Sequence, residues 1–502
     1  MARLPTNVLG LTLGTFGAVA TLMLLYAPSL GAGFLSDDLL YLPHNPTFDL
    51  PMREALSRIF AEAYFANWSP VHHLLLYVEW SVFGSSPLGY RLVNLLLHAG
   101  CCLVLFLLAR RAGLSGPVAG LAGAIFLIHP VAAEPVAWIN QSKTLLATLF
   151  SLCAIERWLA HLSNPERSSA LVVAWIATVL ALLSKPSALP LPALLLLAIW
   201  THSRSCDWRR RLIDWAPIAG VWLGVLLVNL AAQANEGGTA SWFGGSPWAT
   251  AQIVPWLLWR YLRLVVLPFD LVYGVAPDPL TGVFDPRFWL SILALVASAV
   301  GLSLAVRRDR RRLLWVAWFV LMLLPVLQLV PMINLFADRY LYVALPAAVL
   351  LGSELLVNLG SASSLLWRRA AWAAAIALLT GFVVLTAMRA QAWGTPIRLY
   401  IEATEAYPRS RVGCTGLGAE RHRGGDLDGA AQAYLRCLEL DPEDGHVRHL
   451  LGRVRFLQGD TARALFDFEA ALRLAPTHYQ TREVQRLARR LRARGVEPLA
   501  DP

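Results

Sequence analysis

The stretch GFLSDDLLYL at 33–42 sets two adjacent carboxylates, Asp37 and Asp38, directly after a long apolar run. An ionised acid is expensive in hydrocarbon, so the pair is expected just outside a membrane, at the head of a loop held against it. Other ionisable residues sit at the ends of apolar runs: His129 in FLIHP, Lys185 in LLSKP and Arg339 in FADRY. His72, His73, Glu134, Lys143, Arg260, Arg263 and Asp338 complete the polar set. Acids can take a proton from a hydroxyl, and several cations can hold a departing phosphate. Glycosyl transfer from a lipid-phosphate sugar needs that combination, and a lipid donor explains a bilayer setting. Plainer roles stand beside it: a solvated loop start for the acids, a headgroup anchor for Lys185, a helix cap for His129. Arg339 could pair with Asp338, and Arg260 and Arg263, three apart on PWLLWRYLRLVVLPF (255–269), could be snorkelling arginines of an interfacial helix.

The elements that must position these residues are helical and apolar. Of 502 residues, 57% are hydrophobic and 15% charged. A soluble domain carries about 25% charged residues, so the chain reads as an all-α polytopic membrane protein. A first run at 8–30 is nearer a bilayer span than a signal-peptide core and reads as an uncleaved helix. Further spans are expected at 88–109, 115–133, 144–161, 169–184, 187–201, 214–232, 288–306, 313–331, 340–358 and 367–388, about eleven in all. The net charge of +10 resides largely in short arginine-rich loops such as RSCDWRRR and RRDRRR. These mark orientation, not nucleic-acid binding. With residue 1 cytoplasmic, the arginine loops fall on the cytoplasmic side throughout. The 31–87 loop, 130–143, 233–287, 332–339 and everything after about 390 are then extracytoplasmic. A transporter would need acids near mid-bilayer and broken helices in two related halves, and neither is evident.

Composition changes after about 390, and a 34-residue repeat appears. It pairs Leu417 with Leu451, Gly418 with Gly452, Gly425 with Gly459 and Asp426 with Asp460. It also pairs Ala430 with Ala464, Tyr434 with Phe468 and Pro442 with Pro476. Small residues where two helices cross, plus an aromatic wedge, are the tetratricopeptide signature. Tyr400 and Pro408 continue the period backwards as half of an earlier repeat, and the arginine-rich 480–494 is expected to cap the array. The expected domains are therefore 1–390 in the membrane, 391–494 as a small α-solenoid braced by it, and a 495–502 tail. Six cysteines form no CxxC and no zinc spacing. Cys414 and Cys437 fall at packing positions, where small packed residues are the expectation and an extracytoplasmic disulfide the alternative.

These stretches together resemble a known family, the transmembrane and tetratricopeptide-repeat O-mannosyltransferases of the GT-C class. The resemblance runs in order through SDDLLYLPHNP (36–46), WSPVHHLLLYVEWSVFG (68–84), YRLVNLLLH (90–98) and IHPVAAEPVAWINQSKTLLA (128–147). It continues through LLSKPSALPLPALLLL (182–197), RYLRLVVLPFDL (260–271), ADRYLYVALP (337–346) and the repeats. It implies a GT-C-like membrane domain and transfer of a sugar, mannose, from a polyprenyl- or dolichyl-phosphate donor to a protein hydroxyl by an inverting displacement. It places the catalytic acid at Asp38 or Asp37, with Asp38 taken as base. Lys143, Lys185 and Arg339 become donor-phosphate ligands, and His129, Glu134, Arg260, Arg263 and Tyr340 line the same substrate site. A monophosphate donor needs no obligatory cofactor or metal, although adjacent acids leave a divalent ion open. The repeats would recruit the acceptor protein or a partner. The chain departs from the family at Ala132, where a second histidine is common. It departs also at Ser142-Lys143-Thr144, where Arg-Lys-Asp is common, and at Pro186, where an acid follows the lysine. Rival expectations are a transferase acting on a lipid or surface polymer, a non-catalytic membrane-anchored scaffold and, more distantly, a lipid flippase.

Overall fold

The computed structural model describes residues 8–43, 45–64, 67–166, 168–202, 208–235, 242–275, 282–309, 311–332, 334–361, 364–474 and 481–499. His44 of SDDLLYLPHNP and Pro476 of the repeat lie outside them. Among the described residues the regular structure is helical save for one isolated antiparallel bridge between Tyr64 and Asn67. The all-α expectation holds.

The chain divides into two compact units, Met1–Leu271 with Pro279–Gly394, and Val272–Asp278 with Thr395–Pro502. In the first, six helices are long and apolar enough to cross a bilayer: Thr12–Leu30, Pro87–Arg111, Ile139–Ser163, Trp208–Ala234, Pro286–Leu304 and Leu365–Gly394. Gly116–Leu127 and Pro130–Ala137 form a pair bent by 48°, a broken span or re-entrant turn. The bend is where Pro130 follows His129, since proline removes a donor and restricts the residue before it. Shorter apolar helices at Ser168–Ser184, Pro186–His202, Arg312–Val326 and Leu345–Gly360 lie where the other four spans are expected. Their lengths alone do not reach across about 30 Å of hydrocarbon.

The 31–87 region is more ordered than a loop. It holds the helix Met52–Ala61, which buries Ala55 and Ile59. The stretch WSPVHH opens a second helix, Pro70–Phe83, started by a proline at its first position and stopped by Gly84 at φ +52°. Its inward face carries His72, His73, Leu76 and Glu79, which recur at helical spacing.

The second unit is a helical stack. Arg411–Arg423 pairs with Leu427–Leu440, and Gly445–Gln458 with Thr461–Leu474, while Pro396–Ala406 precedes them and Thr481–Ala493 follows. Gly418 faces the ring of Tyr434, where a Cβ would lie 2.5 Å from the aromatic carbons, and Gly452 faces Phe468 at 2.8 Å. The repeat thus places glycine where its own aromatic wedge enters. Tyr400 is buried against Gly416 in the same manner, as the half-repeat reading requires. Asp426 and Asp460 accept from backbone N–H groups three residues on, at 2.9 and 3.1 Å, and so cap the second helix of each repeat. Val272–Val275 joins this unit: Tyr273 sits edge-on to Tyr400 at 5.8 Å, and Ser410 Oγ donates to the Gly274 carbonyl at 2.5 Å. The packing expectation for Cys414 and Cys437 is corrected. They form a disulfide, with Cα atoms 5.7 Å apart. Two helices crossing over small residues bring the thiols within bonding reach, which spacing alone could not reveal.

Glu79 generates a testable consequence. Its carboxyl is 3% exposed, and neither oxygen has a hydrogen-bond partner among the described residues. Burial pushes its pKa up to about 8 from 4.5. The folded state therefore holds a proton that the unfolded chain releases between these values. That stabilisation is full below about 4.5 and is lost as pH rises through 8. Glu79→Gln keeps the neutral shape. Its melting temperature in detergent should match wild type at pH 5 and exceed it progressively toward pH 9.

Candidate active site

The acid pair is placed by one arginine. Arg91, 3% exposed, rises from the apolar helix Pro87–Arg111. Its Nη2 donates to the Gly33 carbonyl at 2.7 Å, its Nη1 to Ala32, and its Nε to Ala137 at 3.2 Å. It thereby fastens the start of the first loop to the end of the bent pair. Asn94, one turn further on, donates to the carbonyls of Val136 and Trp138 at 3.3 and 3.1 Å. These side chains fix the 133–141 segment against the loop.

Asp38 and Asp37 then face different surroundings. Asp38 is fully buried; Oδ1 accepts from Asn140 N at 2.8 Å and Oδ2 from Leu35 N at 3.1 Å. Burial pushes its pKa up to about 7, while those two N–H donors and Arg91 oppose the rise. Asp37 is half-buried, with looser contacts from Ser36 Oγ at 3.2 Å and Asn140 Nδ2 at 3.4 Å. Lys143 lies near enough to feel both carboxylates, and its ammonium sits 5.0 Å from the Tyr41 ring centre.

The other cations form a neighbouring group. Lys185 Nζ donates to Thr144 Oγ1 at 2.7 Å and lies 6.0 Å from the Tyr340 ring centre. Arg339 Nη1 donates to Glu134 Oε1 at 2.5 Å and its backbone N to Glu134 Oε2 at 3.2 Å; its guanidinium covers the Trp138 and Tyr340 rings at 5.3 and 5.1 Å. Charge coupling links Lys143, Lys185, Arg339 and Glu134. Asp338 is buried beside Arg339, with its pKa raised by burial to about 7.

Three predicted site residues take other positions. His129 is fully buried; Nδ1 accepts from Val131 N at 3.3 Å, so Nε2 carries the proton and donates to the Val265 carbonyl at 3.1 Å. Both ring nitrogens are held by the backbone, which leaves neither for a substrate. Arg260 packs on Phe336 and Trp256, 4.6 and 5.5 Å from their ring centres, and reaches the Asp270 carbonyl at 3.4 Å. Arg263 binds the Asp270 carboxylate at 3.2 Å. The two arginines thus meet at Asp270, away from the acid pair's hydrogen bonds. Conversely, Arg91, Asn140 and Tyr41 join the site although motif and spacing do not single them out. The signal for Arg91 was available: a guanidinium among apolar residues of a spanning helix is expensive unless bonded. Among the described residues no three His, Cys, Asp or Glu side chains group as a metal site.

The fold and the site together describe an all-helical integral membrane protein with an acid pair and a cation group at one end of its helices and a tetratricopeptide stack. The tetratricopeptide-repeat family matches residues 445–478. The chain is similar to the protein O-mannosyl-transferase Tmtc1 of Drosophila melanogaster, 31% identical over 184 residues, 35% of this chain and 21% of that protein. It is also similar to a protein O-mannosyl-transferase of Caenorhabditis elegans, 23% identical over 448 residues, 83% of this chain and 61% of the relative. The sequence comparison thus bears out the resemblance to the transmembrane and tetratricopeptide-repeat O-mannosyltransferases. The chain spans less than two thirds of the length of either relative. Among solved structures, an Archaeoglobus fulgidus oligosaccharyltransferase tethered to an acceptor peptide aligns with a TM-score of 0.46 and 14% identity, over 83% of this chain and 59% of that one. ArnT from Cupriavidus metallidurans, bound to undecaprenyl phosphate, aligns at 0.40 and 15%, over 79% and 78%.

The latch is open to a stability test. Arg91→Ala strands three carbonyls that a buried guanidinium now satisfies, and should cost about 3–5 kcal/mol, the scale of several buried polar groups left unpaired. Arg91→Lys retains charge without the three-way geometry and should recover only part. Thermal melting in detergent, with proteolysis between residues 31 and 43 as a local readout, checks both; an unchanged melting point in Arg91→Ala would remove the latch from the account.

Proposed function

We propose that the protein is a GT-C-type membrane glycosyltransferase that moves a sugar, mannose, from a polyprenyl- or dolichyl-phosphate donor to a hydroxyl of an extracytoplasmic protein. One observation carries the reading: a carboxylate pair held beside Lys143, with Lys185 and Arg339 in the same electrostatic group. The names of the relatives agree with it. The arginine distribution supports a cytoplasmic N-terminus and an extracytoplasmic site. The Cys414–Cys437 disulfide supports an oxidising compartment for the repeats, where they would receive the acceptor protein or a partner.

The geometry favours Asp37 as the base, in place of Asp38. Asp38 has both oxygens engaged by backbone donors and no exposure, which suits a clamp. Asp37 is the accessible acid. It would take the proton from the acceptor hydroxyl as the new C–O bond forms at the anomeric carbon with inversion. The bond to phosphate breaks, and its electron pair leaves with the lipid phosphate, whose growing charge Lys185, Lys143 and Arg339 would offset. Lys185 suits that task because its hydrogen-bond partner, Thr144, is neutral. The reaction as written has no obligatory metal or cofactor.

The two acids separate by experiment. Asp37→Asn should lower sugar transfer by about 10²-fold or more while leaving the melting temperature unchanged. Asp38→Asn should lower the melting temperature, because an amide can accept from only one side and strands a backbone donor. Lys185→Ala should raise the KM for the lipid donor. The assay is transfer from radiolabelled polyprenyl-phosphate mannose to protein in membranes of a deletion strain complemented with each variant. Full transfer by Asp37→Asn and Asp38→Asn alike, with function lost on deleting 410–494, would establish the scaffold reading instead. Label appearing in lipid or polymer and not in protein would move the acceptor class.

A further inference from the structure

Beside the acid pair and the cations lies a cluster of polar atoms that the transfer mechanism does not use. His72 is fully buried and His73 is 5% exposed, both on the inward face of Pro70–Phe83. Neither ring nitrogen of His72 has a hydrogen-bond partner among the described residues, nor has His73 Nε2. The amide of Asn140 donates to Asp37, yet its Oδ1 is likewise unpaired. Buried polar atoms left open are few in folded proteins and are unfavourable when nothing meets them. Four such atoms, on histidines that feel Lys143 and on an asparagine bonded to the Asp37 that Lys143 also feels, point to a ligand that supplies their partners.

The chemistry of these atoms narrows that ligand. Burial first, and then the charge of Lys143, lowers both histidines, His73 to about 4, so the imidazoles are neutral. A neutral imidazole offers one donor and one acceptor, and the Asn140 oxygen is an acceptor. His73 donates its ring proton to the Ser69 carbonyl, so its Nε2 is an acceptor too; a phosphate oxygen can only accept, and would be repelled by three of those atoms. A hydroxyl both donates and accepts, so a polyol satisfies the set. The location fits: His72 and His73 flank the Tyr41 ring, 5.8 and 5.6 Å centre to centre, and Lys143 lies over that same ring. His72 also feels the charge of Lys185.

We propose that His72, supported by His73 and the Asn140 side-chain carbonyl, forms the subsite that binds the hydroxyls of the donor sugar, next to the cations that bind its phosphate. The inference rests on the transfer reading above and adds to it a division of labour: neutral groups read the sugar, charged groups hold the phosphate. His72 is the sharper probe, because His73 is stacked parallel to Tyr41 and helps to pack the helix.

The test uses the full chain in detergent and two ligands, a short polyprenyl phosphate carrying mannose and the same polyprenyl phosphate without sugar. Wild type should bind the mannosylated lipid tighter by about tenfold or more, the scale of a lost buried hydrogen bond to a substrate hydroxyl. His72→Ala should abolish that preference while leaving affinity for the sugar-free lipid within about twofold. His72→Gln, which restores a donor and an acceptor, should recover part of it. Equal weakening toward both ligands, or a preference that survives in His72→Ala, overturns the subsite even when wild type transfers sugar. Wild type that binds neither lipid overturns the transfer reading itself, and the subsite with it.

Discussion

The architecture of the site depends on a buried guanidinium. Arg91 lies deep among apolar side chains, where an unpaired charge is among the most unfavourable things a helix can carry. It is tolerated because three carbonyls from two separate segments turn toward it and Asp38 faces it with opposite charge. The converse holds for Asp38, which is balanced by Arg91 and by the backbone N–H groups of Leu35 and Asn140. Each lowers the cost of burying the other. The arrangement therefore exists only when the first loop, the 133–141 segment and the helix Pro87–Arg111 are in register. A rigid helix lends its precision to a loop, as catalytic groups on loops require.

That dependence explains which parts were legible in the sequence. Apolar length finds spanning helices because a bilayer imposes it, and all the expected spans coincide with long, bent or shorter apolar helices. The repeats were legible because Tyr434 and Phe468 each need a glycine opposite, and a period of 34 residues repeats that need. Partners across the sequence were not legible. Nothing around Asp37 and Asp38 says that one is clamped by Asn140, 102 residues away. Periodicity places His129 at a helix end but does not say that Val131 and Val265 take its nitrogens. The same limit hid the Cys414–Cys437 bond, since two packed cysteines and two bonded ones occupy the same positions in a repeat.

The small size of the repeat array has its own physical answer. Each tetratricopeptide unit buries its face only against a neighbour, so two units leave a high proportion of end surface. Here the ends are covered by Pro396–Ala406 on one side and Thr481–Ala493 on the other, whose Val484, Ala488 and Leu491 pack on Leu465 and Phe468. The disulfide joins the helices of the first repeat. The second has an ionic counterpart: Asp467, fully buried, accepts from Arg455 at 2.7 Å and Arg448 at 3.2 Å. A covalent tie and a buried charge cluster thus hold the two repeats at their centres.

The departures from the family's usual residues become intelligible at Lys185. Where an aspartate is common, Thr144 offers a hydroxyl, and where an acid would follow the lysine, Pro186 stands. Two carboxylates there would draw the ammonium into a local ion pair, and a dianionic lipid phosphate would have to compete with them. With a neutral partner at 2.7 Å the amine is oriented, while burial and the charges of Lys143 and Arg339 hold its pKa well below the usual lysine value, so an arriving phosphate would favour its charged form. Arg339 is the opposite case, anchored to Glu134 through its side chain and its backbone. Under the proposed reaction the two cations would then differ in kind. Arg339 would be a fixed wall whose field is partly cancelled, and Lys185 the group whose interaction strengthens most as charge accumulates on the leaving phosphate. Only an interaction that grows toward the transition state accelerates a reaction, so under that proposal the absence of the usual acids would sharpen the site for its leaving group.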